Sequence, residues 1–333
     1  MFFHPAILAL LISSVLISVM LVYSSAIGAQ ILRRWDIQSG SELQLALERR
    51  TYLVSTVMTY ALGFQLLSLF LFIYTVDHLA VLFVGAMCAA GSLNANVWGY
   101  PTLILKIVNF ILAGLWLIVN FTDNRGYDYP LIRLKYVVLL LITPLIVGEM
   151  LLQLAYFVGL EPNIITSCCG TLFTSDADGV TSGVMVLPHV PVEIAFYLSM
   201  FVTLAFGVRF YRSGKGLVPF TLMNGMAFVS SIMALMSFIS LYIYELPTHH
   251  CPFCILHSEY SCIGYPLYIT ILAGAVFGFG MAAVAPFRRK RSLSEVVPRI
   301  QKGLTLMVLG FHGANILMVL LGVSFSNLTL HAF

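Results

Sequence analysis

The chain has 333 residues, of which 60% are hydrophobic and only 9% are charged, and its mean hydropathy is +0.96. Soluble globular proteins carry about 25% charged residues. This composition therefore excludes a soluble globular protein and indicates that lipid covers most of the surface. The formal net charge of +3 says little about partners, and the absence of a long basic tract argues against a nucleic-acid partner.

Nine long apolar segments follow one another along the chain. A membrane span needs about 20 apolar residues, and only helices or closed barrels satisfy the backbone polar groups in hydrocarbon. Because the apolar runs are unbroken rather than alternating, the sequence predicts an all-α, polytopic transmembrane helix bundle with eight or nine spans. The segments are 5–28, 51–75, 79–97, 101–121, 136–158, 191–208, 217–244, 265–286 and 303–326. We expect the first to be a transmembrane helix rather than a cleaved signal, because its apolar block is too long for the apolar h-region of a signal peptide and no basic n-region precedes it.

Lys and Arg residues cluster in four of the loops, and such loops favour the cytoplasmic side. The last three clusters agree with one another and place loops 159–190 and 245–264 outside the cytoplasmic (inner) membrane of a bacterium. The first cluster agrees only if segment 79–97 is re-entrant or broken, which gives eight spans. We favour that reading over nine spans, because four Arg in one short loop are a strong bias. The clusters are Arg33/Arg34/Arg49/Arg50, Arg125/Arg133/Lys135, Arg209/Arg212/Lys215 and Arg288/Arg289/Lys290/Arg291/Arg299/Lys302.

The stretch 245–266, ELPTHHCPFCILHSEYSCIGYP, contains the clearest chemical motif of the chain. Cys251 and Cys254 form a C-x-x-C pair. At the head of a helix such a pair can form a tight disulfide, and its first thiol gains acidity from the helix N-terminus and neighbouring cations. Pro252 suits the first turn of the following helix, and His249 and His250 can favour the Cys251 thiolate when protonated.

A second cysteine pair, Cys168 and Cys169, lies in the other loop that we assign to the outside. A disulfide between adjacent cysteines closes a strained ring that is easily reduced, and each thiol could instead pair with a cysteine of loop 245–264. The sixth cysteine, Cys88, lies in an apolar segment, and we interpret it as a small packing residue.

The order of these features resembles the vitamin K epoxide reductase family. That family has a four-helix bundle whose elements follow one another in the same order. Here the order is helix 136–158, a loop with two cysteines, two further helices, a C-x-x-C and helix 265–286. The run SFISLYIYELPTHHCPFC looks like its third helix entering the C-x-x-C. The resemblance implies that Cys251 and Cys254 face a quinone and that Cys168 and Cys169 are the shuttle pair.

The resemblance covers residues 136–286 and divides the chain into three parts. These are N-terminal transmembrane helices (1–135), a four-helix bundle that carries the cysteines (136–286), and a basic loop with the final transmembrane helix (287–333). It implies a thiol–disulfide oxidoreductase that passes electrons between an extracytoplasmic thiol protein and a membrane quinone. Glu149, which could also pair with Lys106, is one candidate quinone-binding residue, and the others are His257 and Tyr260. In the last helix, we interpret His312 as a hydrogen-bonded helix residue.

Two other functions are compatible with the same cysteines. Thiolate and imidazole ligands suit zinc or a soft ion such as Cu(I) or Hg(II), which would make the protein a metal transporter or metal-binding protein. Alternatively, disulfides staple the two loops into a rigid cap, and the protein is a non-catalytic subunit of a membrane complex. The candidate metal ligands are His249, His250, Cys251, Cys254, His257 and Cys262.

Overall fold

The computed structural model describes residues 4–161 and 189–328. These residues form helices and no β-strand. Eight helical segments are long and apolar enough to cross a bilayer, so the chain is a multi-pass membrane protein, and the predicted fold class is confirmed. The eight segments are Pro5–Arg34, Glu42–Leu82, Gly99–Asp123, Ile132–Val158, His189–Ser213, Leu217–Tyr244, Gly264–Arg289 and Val296–Phe325.

We number the α-helices in chain order. They are α1 (Pro5–Arg34), α2 (Glu42–Leu79), α3 (Ala89–Leu93), α4 (Gly99–Asp123), α5 (Ile132–Val158), α6 (His189–Ser213), α7 (Leu217–Ala234), α8 (Ser240–Tyr244), α9 (Gly264–Val284) and α10 (Val296–Phe325). A π-helical turn, Leu235–Ile239, joins α7 to α8 within one span.

Segment 79–97 forms no helix long enough to span, which leaves eight candidate spans among the residues that the structure describes. After α2 the chain makes a single 3₁₀ turn at Ala80–Leu82 and then passes through Gly85 in the left-handed region at φ 90°. The next helix, α3, has only five residues. At about 1.5 Å per residue, five residues cover a small fraction of a bilayer about 30 Å thick.

Helix α2 is longer than the sequence indicates. It has 38 residues, which is about 57 Å at 1.5 Å per residue and exceeds the hydrocarbon thickness of about 30 Å. Leu43, Leu45 and Leu47 lie in its first turns. The polar residues between the first two apolar segments are therefore divided between the end of α1 and the start of α2.

The chain forms two compact units. The first comprises Met1–Thr75, Asn96–Leu160 and Ala283–Gln301, and the second comprises Val76–Ala95, Glu161–Ala282 and Lys302–Phe333. These boundaries differ from those drawn from the sequence, because α5 belongs to the first unit, where it packs against α1 and α4.

The first unit holds a buried ion pair of the kind that the sequence suggested. Lys106 Nζ of α4 lies 2.6 Å from Glu149 Oε1 of α5. Asn109 Nδ2 donates to Glu149 Oε2 at 2.6 Å, and Gln65 Nε2 donates to both carboxylate oxygens at 2.9 and 2.7 Å. Lys106 also donates to Ser68 at 3.4 Å. Because each charge has several partners, the pair joins α2, α4 and α5 without leaving an unpaired charge in lipid.

A second buried pair closes the turn between α4 and α5. Lys135 Nζ lies 2.6 Å from Asp123 Oδ2, and the backbone N–H of Leu131 donates to Asp123 Oδ1 at 2.8 Å. The carboxylate thus supplies a partner for a backbone group at the start of α5, where helix N–H groups lack partners within the helix.

Polar side chains also connect helices in the second unit. The Nε2 atom of His312 on α10 lies 2.8 Å from Asn224 Oδ1 on α7, which agrees with the interpretation of His312 as a hydrogen-bonded helix residue. A Cβ atom at Gly274 of α9 would lie 2.7 Å from the His312 ring, and one at Gly278 would lie 2.2 Å from Asn224. The two glycines therefore give these polar side chains room between closely packed helices.

The buried pair of the first unit gives a stability prediction. Replacing Lys106 with Met leaves the Glu149 carboxylate buried without its cation, so we expect Lys106→Met to lower the free energy of unfolding by about 3–5 kcal/mol. The measurement is SDS titration of the purified protein in mixed micelles, followed by circular dichroism.

The matched control is Glu295→Gln. Its ion pair with Arg299 is 3.7 Å long and more than 80% exposed on both sides, so its loss should have no measurable effect. Equal unfolding free energies for Lys106→Met and the wild type would show that the buried pair does not stabilise the fold.

Candidate functional site

Three buried thiols converge in the second unit. The Sγ atoms of Cys88, Cys251 and Cys254 all lie within 4.8 Å of one another, and those of Cys88 and Cys251 are 3.5 Å apart. Cys88 and Cys251 are completely buried, and Cys254 is 8% exposed. The C-x-x-C pair therefore has a third sulfur beside it, from a segment 163 residues away in the sequence. We call these three residues the thiol cluster.

Asp77 holds the segment that carries Cys88. Its Oδ1 atom accepts a hydrogen bond at 2.9 Å from the N–H of Ala89, the first residue of α3. The same carboxylate oxygen lies 3.0 Å from Nε2 of His257 in the C-x-x-C loop. One side chain at the end of α2 thus contacts both segments that supply thiols, which fixes Cys88 relative to Cys251.

Two tyrosine hydroxyls hold the backbone of the C-x-x-C. Tyr244, at the end of α8, donates to the carbonyl of Cys251 at 2.5 Å, and Tyr268 of α9 donates to the carbonyl of Pro252. The chain then makes 3₁₀ turns at Cys254–Leu256 and Ser258–Tyr260. These bonds satisfy carbonyl groups that no regular helix satisfies.

The C-x-x-C does not stand at the head of a long helix. Helix α9 begins only at Gly264, so the prediction that its N-terminus acidifies Cys251, with Pro252 in its first turn, is wrong. The physical reason is the compact loop: Gly264 packs so closely on Ile255 that a Cβ atom would lie 2.8 Å from its side chain and 3.0 Å from its carbonyl oxygen.

The two histidines before the C-x-x-C have different contacts. His249 Nε2 lies 3.4 Å from Cys254 Sγ, and its ring packs edge-on against Tyr244. Burial lowers the pKa of His249, which favours the neutral imidazole. His250 Nδ1 lies 2.9 Å from the carbonyl of Met236 in the π-helical turn. That His249 and His250 favour the Cys251 thiolate when protonated stays a prediction.

The other predicted site residues lie as follows. His257 contacts Asp77, and the Tyr260 ring packs against Tyr244 with centroids 4.8 Å apart. Cys262 has a free, exposed thiol on a left-handed backbone at φ 53°. Cys168 and Cys169 lie outside the described residues.

Glu149 belongs to the first compact unit, and the partners given above for its carboxylate belong to that unit as well. Its carboxylate oxygens already accept hydrogen bonds from three side chains. A bound quinone would have to compete with those donors. The structure therefore gives Glu149 a role in helix packing, and its role in quinone binding stays a prediction.

Sequence reasoning missed Cys88. The signal that could have found it is the polar run GSLNANVWG after an apolar stretch too short to span. A segment that does not cross the membrane returns to the side it came from, so its residues can meet a loop on that side. This reasoning predicts that Cys88 and the C-x-x-C lie at the same membrane face, but it does not predict the distance between their sulfur atoms.

A narrow apolar cleft with a cavity volume of about 10 Å³ lies in the second unit, beside the same loop. It adjoins the end of α8 and the start of α9, where the C-x-x-C loop begins and ends. Its lining residues are Ile239, Tyr242, Ile243, Ile263, Leu267, Met318, Val319, Gly322 and Val323.

Comparison with protein-family models found no match for this chain. Searches of curated proteins and of solved structures likewise found no similar protein. The resemblance to the vitamin K epoxide reductase family stays a prediction from the sequence.

The close contact at Gly264 gives a second prediction. In Gly264→Ala the new methyl group would lie 2.8 Å from the Ile255 side chain, 2.9 Å from that of Leu256 and 3.0 Å from the Ile255 carbonyl oxygen, so the loop must shift. Overpacking of this kind costs about 1–3 kcal/mol. We expect maleimide labelling of Cys254 to become about tenfold faster, which corresponds to about 1.4 kcal/mol. Peptide mass spectrometry identifies the labelled cysteine.

Gly303→Ala is the control, because nothing lies within 4 Å of a Cβ atom at that position. It should leave the labelling rate unchanged. A rate in Gly264→Ala equal to that of the control would mean that the loop is not fixed by this contact.

Proposed function

We propose that the protein is a membrane thiol–disulfide oxidoreductase in which the thiol cluster exchanges electrons with a lipid-soluble quinone. The observation that carries the proposal is the 3.5 Å separation of the Cys88 and Cys251 sulfurs. A disulfide bond is about 2.05 Å long, so side-chain rotation and a shift of about 1.5 Å would bring these sulfurs to bonding distance.

The oxidising step balances with a quinone as the acceptor. Cys88 and Cys251 each lose an S–H proton, one S–S bond forms, and two electrons and two protons convert the quinone to the quinol. Cys254, within 4.8 Å of both sulfurs, can then attack the disulfide as a thiolate and exchange partners within the cluster.

Burial of the thiols favours an acceptor that arrives from the membrane. With Cys88 and Cys251 completely buried, a water-soluble oxidant has no direct approach to either sulfur. The apolar side chains that line the narrow cleft beside the loop offer a surface for an isoprenoid tail, and a quinone ring would need the cleft to widen. His257 and Tyr260, which lie on the loop, are the candidates to contact the quinone oxygens.

The donor side of the reaction needs a thiol that can reach the surface. We assign that role to Cys168 and Cys169, which would pass electrons from an extracytoplasmic thiol protein to the thiol cluster.

Loop charge supports an outward-facing thiol cluster. If the eight candidate spans each cross once, alternation puts all four clusters of Lys and Arg on one side and the cysteine-bearing loops on the other. The positive-inside tendency assigns the basic side to the cytoplasm. The thiols would then face the exterior of the inner membrane, where disulfides persist.

The test uses the full-length protein in detergent, with dithiothreitol as the electron donor and a short-chain ubiquinone as the acceptor. We expect quinone reduction by the wild type and a rate at least 100-fold lower in Cys251→Ser and Cys88→Ser, because neither variant can form the disulfide. Peptide mass spectrometry after quinone treatment should identify a Cys88–Cys251 disulfide.

Cys262→Ser is the matched control, since the Cys262 thiol is free and exposed, and it should keep the wild-type rate. Full activity in Cys251→Ser, or the absence of any disulfide within the thiol cluster after quinone treatment, would refute the proposal.

A further inference from the structure

The thiol cluster has a second capacity that does not depend on quinone chemistry. We propose that its reduced form, together with His249, binds a d¹⁰ metal ion, Zn(II) or Cu(I). The inference rests on the positions of four ligand atoms and goes beyond the proposed oxidoreductase activity.

The sulfur positions fit a metal site with small adjustments. With metal–sulfur bonds of about 2.3 Å, two sulfurs of a tetrahedral site lie about 3.8 Å apart. In the thiol cluster one pair is 3.5 Å apart, and all three sulfurs are within 4.8 Å of one another. The three sulfurs therefore lie close enough together to bind one metal ion. Changes of less than about 1 Å in the sulfur–sulfur distances would bring each pair to the tetrahedral spacing.

His249 contacts one sulfur of the cluster and would have to move toward the other two to complete the ligand set, since its nitrogens are not among the ligand atoms that lie within 4.8 Å of one another. Its Nε2 atom lies 3.4 Å from Cys254 Sγ, close to the spacing of about 3.5 Å between neighbouring nitrogen and sulfur ligands of tetrahedral zinc. Three thiolates and one imidazole form a known class of zinc site. Cu(I), which accepts soft thiolate ligands alone, would need only the three sulfurs.

Contacts outside the cluster hold these ligands in place. Asp77 fixes the backbone beside Cys88 and contacts His257, and Tyr244 donates to the Cys251 carbonyl. Hydrogen bonds of this kind orient metal ligands and raise affinity. Each thiol gives up its proton when it binds the ion, and burial then keeps competing water away from the bonds.

The structure also separates these ligands from others that the sequence suggested. His250 contacts the carbonyl of Met236, His257 contacts Asp77, and Cys262 is exposed. Neither these three residues nor His249 are part of the group of converging ligand atoms among the described residues, but His249 contacts a sulfur of the cluster. Cys88, which the sequence analysis assigned to packing, takes the place of Cys262.

The experiment titrates the reduced full-length protein in detergent with Zn(II), with Co(II) as a spectroscopic substitute, and separately with Cu(I) against a chelator. We expect one equivalent of metal, and sulfur-to-cobalt charge-transfer bands with the intensity of three thiolates. Bound metal should also protect Cys254, the partly exposed thiol of the cluster, from maleimide in the wild type, which tests the site without any substitution.

Variants then assign the ligands. Cys88→Ser should lower Zn(II) affinity at least 100-fold, and Cys262→Ser should not change it. His249→Ala should lower Zn(II) affinity by 10- to 100-fold and leave Cu(I) affinity unchanged if Cu(I) is bound by sulfur alone. Loss of both metals in His249→Ala would instead make the imidazole a ligand for each.

Three results would overturn the proposal: no metal bound by the wild type, wild-type affinity in Cys88→Ser, or unchanged affinity for both metals in His249→Ala. Metal binding without quinone reduction would leave this inference standing and refute the oxidoreductase proposal. Quinone reduction without metal binding would do the reverse.

Discussion

The need to satisfy every backbone hydrogen bond in hydrocarbon constrains this chain more than any other interaction. A helix meets that need within itself, so the apolar segments become helices and irregular backbone falls at their ends. Both described segments that supply the thiol cluster, 80–98 and 245–263, are such irregular connections. Side chains satisfy their backbone instead, with Asp77 bonding to Ala89 and Tyr244 to Cys251.

Charge is handled differently in the two compact units. The first unit buries Lys106 with Glu149 and Lys135 with Asp123, and each carboxylate has additional donors. Such pairs connect helices but leave few groups free to react. The second unit instead concentrates thiols and imidazoles. A protonated thiol and an unprotonated imidazole are neutral and therefore cost less to bury than charges.

Local patterns in the sequence predict much of the fold and less of the site. Unbroken apolar runs identify the spans, and four Arg in one short loop favour eight spans over nine. The 38-residue length of α2 could not be predicted from the apolar segments, because the first turns of this helix are polar. The approach of Cys88 to Cys251 joins positions 163 residues apart, and no local periodicity encodes such a contact. The C-x-x-C was recognised, but its separation from α9 depends on packing at Gly264.

The π-helical turn Leu235–Ile239 has a geometric consequence for the residues beyond it. An extra residue in one turn advances the angular phase of the following helix by about 100°. Deleting one residue there would restore an ordinary α-helix and rotate Tyr244 by that angle, which would aim its hydroxyl away from the Cys251 carbonyl. The rotational setting of α8, and with it the anchoring of the C-x-x-C backbone, therefore depends on one wide turn in the preceding helix.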